Sequence, residues 1–171
     1  MKRIDTLKLT DVIIREARAE DGKAVNDIFR RFAGDSFAVY SDKPLMYDFF
    51  RKNSDLAILF YVVEYEGIVV GFAYLKPFRS YENFRHTGMP TYFLLPEFTG
   101  RGIGTRLLNT LVENGRALGV TNFVAHLSSK NTQSYNFHIK HGFVEVGRLQ
   151  DMGIKFNESF DIVWVQKQFE D

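Results

Sequence analysis

The stretch Leu94-Leu-Pro-Glu-Phe-Thr-Gly-Arg-Gly-Ile-Gly-Thr-Arg-Leu-Leu108 decides the fold. An apolar segment leads into a turn in which glycine alternates with other residues, and this turn opens directly onto an amphipathic helix. Glycine lets a backbone approach a ligand closely, and the first N–H groups of a helix have no partner within it. Because the positive end of the helix dipole lies at the same place, the stretch predicts a phosphate or pyrophosphate site.

Composition narrows the classes of protein that this chain can represent. The length of 171 residues favours a single domain over 1–171, with residues 1–10 as an extended or flexible start. A net charge of +1 argues against a nucleic-acid partner, and the lack of cysteine excludes disulfides, thiolate ligands and a cysteine nucleophile. No apolar run approaches the ~20 residues of a membrane span, and the start does not read as a signal peptide, so we expect a cytoplasmic protein without a membrane partner.

Hydrophobic periodicity predicts strands alternating with helices. The predicted strands cover 12–17, 58–65, 68–75, 90–95, 121–127, 143–147 and 160–166. The predicted helices run from Glu20-Asp21 to Gly34-Asp35, over 47–52, over 103–118 and over 131–141, with a loop at 79–88. A strand–helix–strand unit needs a crossover and favours parallel neighbours, whereas hairpins are antiparallel. The sequence therefore predicts an α/β fold with a mixed, strongly twisted sheet of about six to seven strands and helices on both faces.

Two common phosphate-binding motifs do not fit the glycine-rich turn. A P-loop requires lysine after its last glycine, but Gly104 is followed by Thr105 and Arg106. A dinucleotide fingerprint requires the spacing Gly-x-Gly-x-x-Gly and an acidic residue about twenty positions further on, and both are missing. The turn therefore belongs to another class of phosphate-binding element.

The segment Thr99-Gly-Arg-Gly-Ile-Gly104 resembles motif A of the GCN5-related N-acetyltransferase (GNAT) family, although Thr99 stands where the family has Arg or Gln. In that family the backbone of this motif holds the pyrophosphate of acetyl-CoA, and the preceding strand contacts the pantetheine arm. The resemblance implies that the coenzyme is held by Phe93, Leu94, Thr99, Gly100, Arg101, Gly102, Ile103, Gly104 and Thr105. It also implies the GNAT fold.

A second segment, Asn131-Thr-Gln-Ser-Tyr-Asn-Phe-His-Ile-Lys-His-Gly-Phe143, is similar to motif B of the same family. Asn131 is a good helix N-cap and Gly142 a good helix stop, so the local chemistry agrees with a helix there. The resemblance implies further coenzyme contacts from Asn131, Ser134, Phe137, His138 and Lys140. Arg101, Arg106, Lys130 and Lys140 are candidates to face the phosphates, and Tyr92, Tyr135 and Phe137 are candidates to line the acyl-pantetheine channel.

The flanking segments look like the phosphinothricin acetyltransferase-like branch of the family, which acetylates the amino group of small amino-acid-like compounds. The similarity lies in His138, in the segments 142–149 and 153–166, and in the loop Phe78-Arg-Ser-Tyr…Arg85-His-Thr87. That branch usually has a glutamate, proposed as the base, shortly after His-Thr, whereas this chain has Gly88-Met-Pro90. The branch also implies a homodimer as a possible assembly.

The expected chemistry is direct attack of an amine on acetyl-CoA in a ternary complex, because no cysteine is available for an acyl-enzyme. His138 is the first choice near the departing thiolate, since an ordinary histidine pKa of ~6.5 suits proton transfer near neutrality. Glu82 and His86 are the candidate bases, and His126 and His141 are expected to be structural. The histidine spacing predicts no metal site.

Two alternatives to a small-molecule acceptor stay open at this point. An acidic, open groove would favour acetylation of a protein N-terminus or lysine, and a closed aromatic pocket would oppose it. A non-catalytic acetyl-CoA-binding module is the other alternative, motivated by Thr99 and by the missing glutamate. A shared fold cannot decide among them.

Overall fold

The computed structural model describes residues 8–41 and 48–169, and within them the chain forms seven strands and four helices. The strands are β1 Val12–Glu16, β2 Leu59–Tyr65, β3 Ile68–Pro77, β4 Thr87–Leu94, β5 Asn122–Ser128, β6 Val144–Lys155 and β7 Glu158–Gln168. The helices are α1 Gly22–Asp35, α2 Phe49–Ser54, α3 Ile103–Ala117 and α4 Thr132–Lys140. None of the helices in this described part is long and apolar enough to cross a membrane.

All seven strands belong to one sheet in the order β1-β2-β3-β4-β5-β7-β6. The β4–β5 pair is parallel, and every other neighbouring pair is antiparallel. The parallel pair follows from the crossover through α3, which returns the chain to the edge of β4. This arrangement confirms the predicted mixed sheet.

Helices pack on both faces of the sheet, as predicted. On one face, α1 presents Val25, Ile28 and Phe29 at helical spacing, and the Phe29 ring stacks on Phe49 of α2 with centroids 3.7 Å apart. On the other face, α3 buries its apolar stripe, and Phe137 of α4 packs against the same cluster. The central strands of the sheet are thus packed between two apolar layers.

The feature that creates a site is the separation of β4 from β5. These parallel strands pair at Thr87↔Asn122 and Gly88↔Phe123, and their ladder ends there. β4 keeps its pairing with β3 as far as Leu94, and β5 keeps its pairing with β7 as far as Ser128. The two strands therefore diverge and leave an opening in the middle of the sheet, directly before the glycine-rich turn.

A buried lysine anchors the segment that follows α1. Lys155, at the end of β6, is 1% exposed. Its three N–H donors are shared among four carbonyl oxygens, those of Ala33, Ser36, Val39 and Ser41, at 2.9, 2.6, 2.7 and 2.7 Å from Nζ. A buried ammonium needs such partners, because an unpaired one would be costly. The hairpin of β6 and β7 thereby holds segment 36–41 beside the opening.

Some boundaries differ from the prediction. β4 begins at Thr87, inside the expected loop at 79–88, because its first residues complete the short ladder with β5. β6 continues to Lys155 through two register shifts against β7, whereas the sequence suggested a strand ending at 147. The short helix expected over 47–52 is α2, and its expected start at Tyr47 lies outside the described residues. Residues 1–7 also lie outside them, so the prediction of one domain with a flexible start stays a prediction.

Candidate active site

A cleft of about 720 Å³ passes through the opening between β4 and β5. It joins two chemically different regions. One region, the glycine end, is formed by residues 99–105 at the start of α3. The other, the cationic end, is formed by Tyr40, Lys52, Asn53, Lys76 and His126.

The glycine end offers a row of free backbone donors. Within the described residues, the N–H groups of Gly100, Arg101, Gly102, Ile103, Gly104 and Thr105 have no protein acceptor. Gly100 and Gly102 have φ of +72° and +81°, a region that side chains rarely adopt, and a Cβ on Gly100 would find nothing within 4 Å. Unpaired donors at the start of a long helix, with open space in front of them, fit a pyrophosphate.

Most residues expected to hold the coenzyme line this cleft. They are Phe93, Leu94, Thr99, Gly100, Gly102, Gly104, Thr105, Asn131, Ser134, Phe137, His138 and Lys140. The side chains of Arg101 and Ile103 are not part of the lining. Ile103 is fully buried in the core, and Nε of Arg101 reaches back to the Glu97 carbonyl at 3.4 Å.

Other side chains near the glycine end are engaged within the protein. Thr99 donates its hydroxyl to the Pro96 carbonyl at 2.8 Å, which closes the turn before α3. Arg106 donates to the Leu9 and Val12 carbonyls, so its guanidinium fastens the segment before β1. Lys130 pairs with Glu158 at 3.0 Å. Of the four cations expected near the phosphates, Lys140 is the one whose residue lines the cleft.

The start of α4 is fixed by Asn131, as the sequence indicated. The Asn131 side-chain oxygen accepts from the Ser134 N–H at 3.2 Å, and Asn131 itself lies at the cleft. One turn further on, Phe137 contacts both Tyr92 and His141. The helix therefore delivers His138 to the wall of the cleft in a fixed orientation.

His138 is buried, at 4% exposure, and both of its ring nitrogens are engaged. Nδ1 lies 2.7 Å from the Ser134 carbonyl, which can only accept, so Nδ1 carries the proton and Nε2 accepts from the Tyr92 hydroxyl. Burial lowers the pKa of His138 to about 4 and raises the pKa of Tyr92. Burial therefore opposes the titration near neutrality that was expected for His138, and it favours the neutral forms of both side chains.

His141 is similarly engaged. Its Nε2 lies 2.9 Å from the Thr105 hydroxyl and its Nδ1 lies 2.7 Å from the Phe137 carbonyl. Because that carbonyl accepts from Nδ1–H, Nε2 accepts from Thr105. This bond links the first turn of α3 to the end of α4, in keeping with the structural role expected for His141.

The cationic end lies on the α1–α2 face of the sheet. Lys76 of β3 stands opposite Met89 of β4, and its Nζ donates to Asn53 Oδ1 at 3.2 Å. Burial, with Lys52 nearby, lowers the pKa of Lys76. Within the described residues, the cleft lining contains no Asp or Glu. The sequence reading missed this region, although Lys76, Met89 and His126 all follow from strand alternation once the register is known.

The two candidate bases lie elsewhere. Glu82 is 80% exposed at its side chain and pairs with Arg85 at 3.4 Å. His86 borders a separate depression with Thr121 and Asn122, whose N–H groups bond to its carbonyl. Neither residue lines the cleft. The same structure contains, among the described residues, no group of three or more His, Asp or Glu side chains that could hold a metal.

The comparisons with known proteins agree with this geometry. The model of the acetyltransferase (GNAT) family matches residues 23–143, which is more than half of the chain and spans both the glycine end and α4. The chain belongs to this acetyltransferase family. The donor of GNAT enzymes is acetyl-CoA, whose pyrophosphate is the kind of anion that unpaired N–H groups at a helix start can bind.

Relatives cover nearly the whole acetyltransferase. The chain is 29% identical to the L-amino acid N-acyltransferase MnaT of Escherichia coli, over 92% of this chain and 94% of that protein. It is 27% identical to the L-methionine sulfoximine/L-methionine sulfone acetyltransferase of Salmonella typhimurium, over 92% and 95%. A phosphinothricin acetyltransferase from Sinorhizobium meliloti, solved in complex with acetyl-CoA, superposes with a TM-score of 0.84 at 26% identity, over 93% and 89%.

Proposed function

We propose that this acetyltransferase moves the acetyl group of acetyl-CoA to the primary amine of a small, amino-acid-like molecule. The observation that carries the proposal is the cationic end of the cleft, where Lys52 and Lys76 are present and the described lining holds no carboxylate. A carboxylate or phosphinate on the acceptor would pair with these ammonium groups. The relatives named for amino acids and their analogues support the same class of acceptor.

The geometry supports direct transfer in a ternary complex. The donor would lie between β4 and β5, its pyrophosphate on the N–H groups of residues 100–105 and its pantetheine arm beside Phe93 and Leu94. The acceptor would approach from the cationic end on the opposite face. The single hydroxyl proton of Tyr92 is committed to His138, so the Tyr92 oxygen can only accept from a ligand, such as a nitrogen or thiol proton. His138 thus acts as a positioning residue for Tyr92.

The alternatives are less favoured by the charges of the cleft. A lysine or a protein N-terminus carries a positive charge, and a peptide substrate would need carboxylates to recognise it. The cationic end presents Lys52, Lys76 and the Tyr40 ring instead. A non-catalytic module would need no acceptor pocket, whereas this cleft continues past the β4–β5 opening to the cationic end.

The experiment is a thiol-release assay with pairs of acceptors that differ by one carboxylate, such as L-methionine and 3-(methylthio)propylamine. We expect the carboxylate-bearing member to give a kcat/KM at least about tenfold higher, as one charge-assisted pair would provide. Lys76→Met should abolish that preference. The matched control is Lys23→Met, which removes an exposed lysine paired with Asp27 on α1 and should leave the preference unchanged. Tight binding of acetyl-CoA without turnover of any amine would contradict the proposal.

A homodimer and a cytoplasmic location belong to the same proposal. Edge strand β6 exposes Val144, Val146, Leu149, Met152 and Ile154, which is a large apolar surface for one strand. Sedimentation equilibrium, with Ile154→Lys as the variant, tests the dimer, and a single monomeric species for the unmodified chain would contradict it. The location is proposed because acetyl-CoA is an intracellular metabolite, and cell fractionation tests it.

A further inference from the structure

His126 is set in the wall of the cleft on the face from which the acceptor would enter. It lies on β5 beyond the last β4–β5 pair, on the opposite side of the strand from the buried Ala125 and Leu127. Lys76 and Met89 face the same side, because they pair across β3 and β4 in register with Phe72 and Phe93 of the α1–α2 layer. His126 therefore borders the cationic end directly.

Two rings hold the imidazole of His126 in one orientation. Nδ1 lies 2.7 Å from the Tyr40 hydroxyl, and the two rings stack with an interplanar angle of 8°. The Trp164 ring, from the neighbouring strand β7, contacts the imidazole at a tilt of 53°, with centroids 4.9 Å apart. Tyr40 is itself held in place because Lys155 binds the carbonyls on both sides of it. The ring is thus pre-positioned rather than free to turn.

Nε2 of His126 has no hydrogen-bond partner among residues 8–41 and 48–169. The other two histidines of the cleft lining differ in this respect. His138 uses both ring nitrogens for Ser134 and Tyr92, and His141 uses both for Phe137 and Thr105. Within the described lining, His126 is therefore the histidine with a nitrogen available to a ligand.

Partial desolvation and a nearby charge favour the neutral form of this imidazole. Although His126 keeps an exposed edge, its desolvation in the cleft and, to a smaller extent, the positive charge of Lys76 lower its pKa. The titratable groups that face it are Tyr40 from the segment after α1, Lys76 from β3 and Lys52 from α2. Burial raises the pKa of Tyr40 to about 12, so Tyr40 stays a neutral hydroxyl. The lowered pKa favours the neutral imidazole, which can take up a proton.

The branch of the family that this chain resembles usually has a glutamate shortly after His-Thr, where this chain has Gly88-Met-Pro90. Of these three residues, Met89 lies opposite Lys76 at the cleft. A thioether cannot accept a proton from an ammonium group. We propose that His126 Nε2 takes the place of that carboxylate and removes the proton from the acceptor amine. This inference rests on the proposed function, since it assigns a catalytic residue to the same reaction.

The proton balance is simple. The proposed step uses the tautomer in which Nδ1–H of His126 donates to the Tyr40 oxygen, because only then does Nε2 hold the lone pair. The acceptor ammonium gives one proton to that Nε2. The neutral nitrogen attacks the thioester carbonyl carbon, the new N–C bond forms and the C–S bond breaks. The second proton on nitrogen passes to the departing sulfur, which leaves as the thiol, and His126 returns its proton to the solvent in the cleft. No oxidant or further reactant is needed.

The test compares His126→Gln and His126→Ala with the unmodified enzyme, on an acceptor that the latter acetylates. Acetyl-CoA affinity, measured by calorimetry, should stay within about twofold, because His126 lies away from residues 99–105. We expect kcat to fall by about 100-fold or more, as is typical for loss of a general base. The acidic limb of the pH profile of kcat/KM should disappear, and added imidazole should restore part of the activity of His126→Ala.

A kcat within about threefold of the unmodified value, or an acidic limb that persists in His126→Gln, would overturn the assignment. Glu82→Gln and His86→Gln test the two other candidate bases in the same assay. Loss of the acidic limb of the kcat/KM profile in either variant would also overturn the assignment of His126. An unmodified enzyme that binds acetyl-CoA but acetylates no amine would instead refute the proposed function, and this role with it. If the unmodified enzyme acetylates an amine and His126→Gln does so equally well, only the role of His126 fails. The two failures are therefore distinguishable.

Discussion

The Tyr92 hydroxyl donates to Nε2 of His138, and this bond joins β4 to α4 across the wall of the cleft. The Ser134 carbonyl fixes the tautomer of the imidazole from the other side. The two residues are neutral together, so the bond orders the cleft without placing a charge inside it. A second tyrosine–histidine pair, Tyr40 and His126, lies on the opposite face of the sheet. Of the two imidazoles, the one of His126 has a nitrogen without a partner among the described residues.

Removing the Tyr92 hydroxyl should destabilise the protein. In Tyr92→Phe the buried Nε2 of His138 loses its donor, which costs about 1–3 kcal/mol in the free energy of unfolding. Urea denaturation measures this cost. Tyr81→Phe is the matched control, because the Tyr81 side chain is 71% exposed and should change stability by less than about 0.5 kcal/mol. Equal effects of the two substitutions would contradict the bond.

The burial of His138 predicts a loss of stability in mild acid. Its pKa is about 4 in the folded protein and ~6.5 in the unfolded chain, so the unfolded chain binds more protons between these values. The stability that the neutral imidazole contributes is present above pH 6.5 and is lost as the pH falls towards 4. Between pH 7.5 and pH 4.5 we expect the free energy of unfolding of the unmodified protein to fall by roughly 2–3 kcal/mol more than that of His138→Gln. The same pH dependence of the free energy of unfolding in both proteins would contradict this prediction.

The free donors of the glycine end predict a specific loss of coenzyme affinity. Gly100→Ala and Gly67→Ala both place a side chain at positive φ, +72° and +78°, with no heavy atom within 4 Å of the new Cβ. Each should therefore lower stability by a similar amount, about 1–2 kcal/mol. Of the two positions, only Gly100 lines the cleft, and calorimetry should show the Kd of Gly100→Ala for acetyl-CoA raised about tenfold or more. A raised Kd in Gly67→Ala as well would indicate a general defect.

The buried ammonium of Lys155 predicts a large structural effect. Lys155→Met leaves four backbone carbonyls of segment 33–41 without this donor, and we expect the free energy of unfolding to drop by about 3 kcal/mol. Denaturant titration measures the drop. Lys23→Met, at an exposed pair on α1, should change stability by less than about 1 kcal/mol. A small effect of Lys155→Met would mean that segment 36–41 is held in some other way.

Tyr40 should tune the proposed base. Without the hydroxyl, Tyr40→Phe leaves Nδ1 of His126 unpaired in a stacked site, so the protonated imidazole is stabilised less. We expect the acidic limb of the kcat/KM profile to shift to lower pH, with a kcat reduced by about tenfold and an unchanged Kd for acetyl-CoA. If the acidic limb stays at the same pH in Tyr40→Phe, Tyr40 does not interact with the group that titrates.

The sequence predicted the parts of the site that depend on local signals. Alternating glycines before an amphipathic helix, and Asn131 before the next one, are visible within a few residues of each other, so the glycine end and the start of α4 could be placed. The cationic end could not, because it brings together Tyr40, Lys76 and His126 from three separate elements. A strand histidine gives no local signal of its role, and His126 was expected to be structural.

Long-range polar contacts also escaped the sequence reading. Lys155 binds carbonyls 114 to 122 residues earlier in the chain, and no periodicity reveals such a pairing. The length of β6 was underestimated because charged residues and two register shifts interrupt its pattern, while its edge position leaves much of it exposed. The titration of His138 depends on burial, which the motif alone does not give.

The short ladder between β4 and β5 has a consequence for the mechanics of this enzyme. Two residue pairs connect strands β1–β4 with strands β5–β7, so the sheet behaves as two panels with a seam between them. A pantetheine arm lying in that seam would replace the hydrogen bonds that β4 and β5 do not make with each other, as an additional strand would. The bound acetyl donor would then connect the two halves of the sheet. Their relative motion would be smallest while the acetyl group is in position to react.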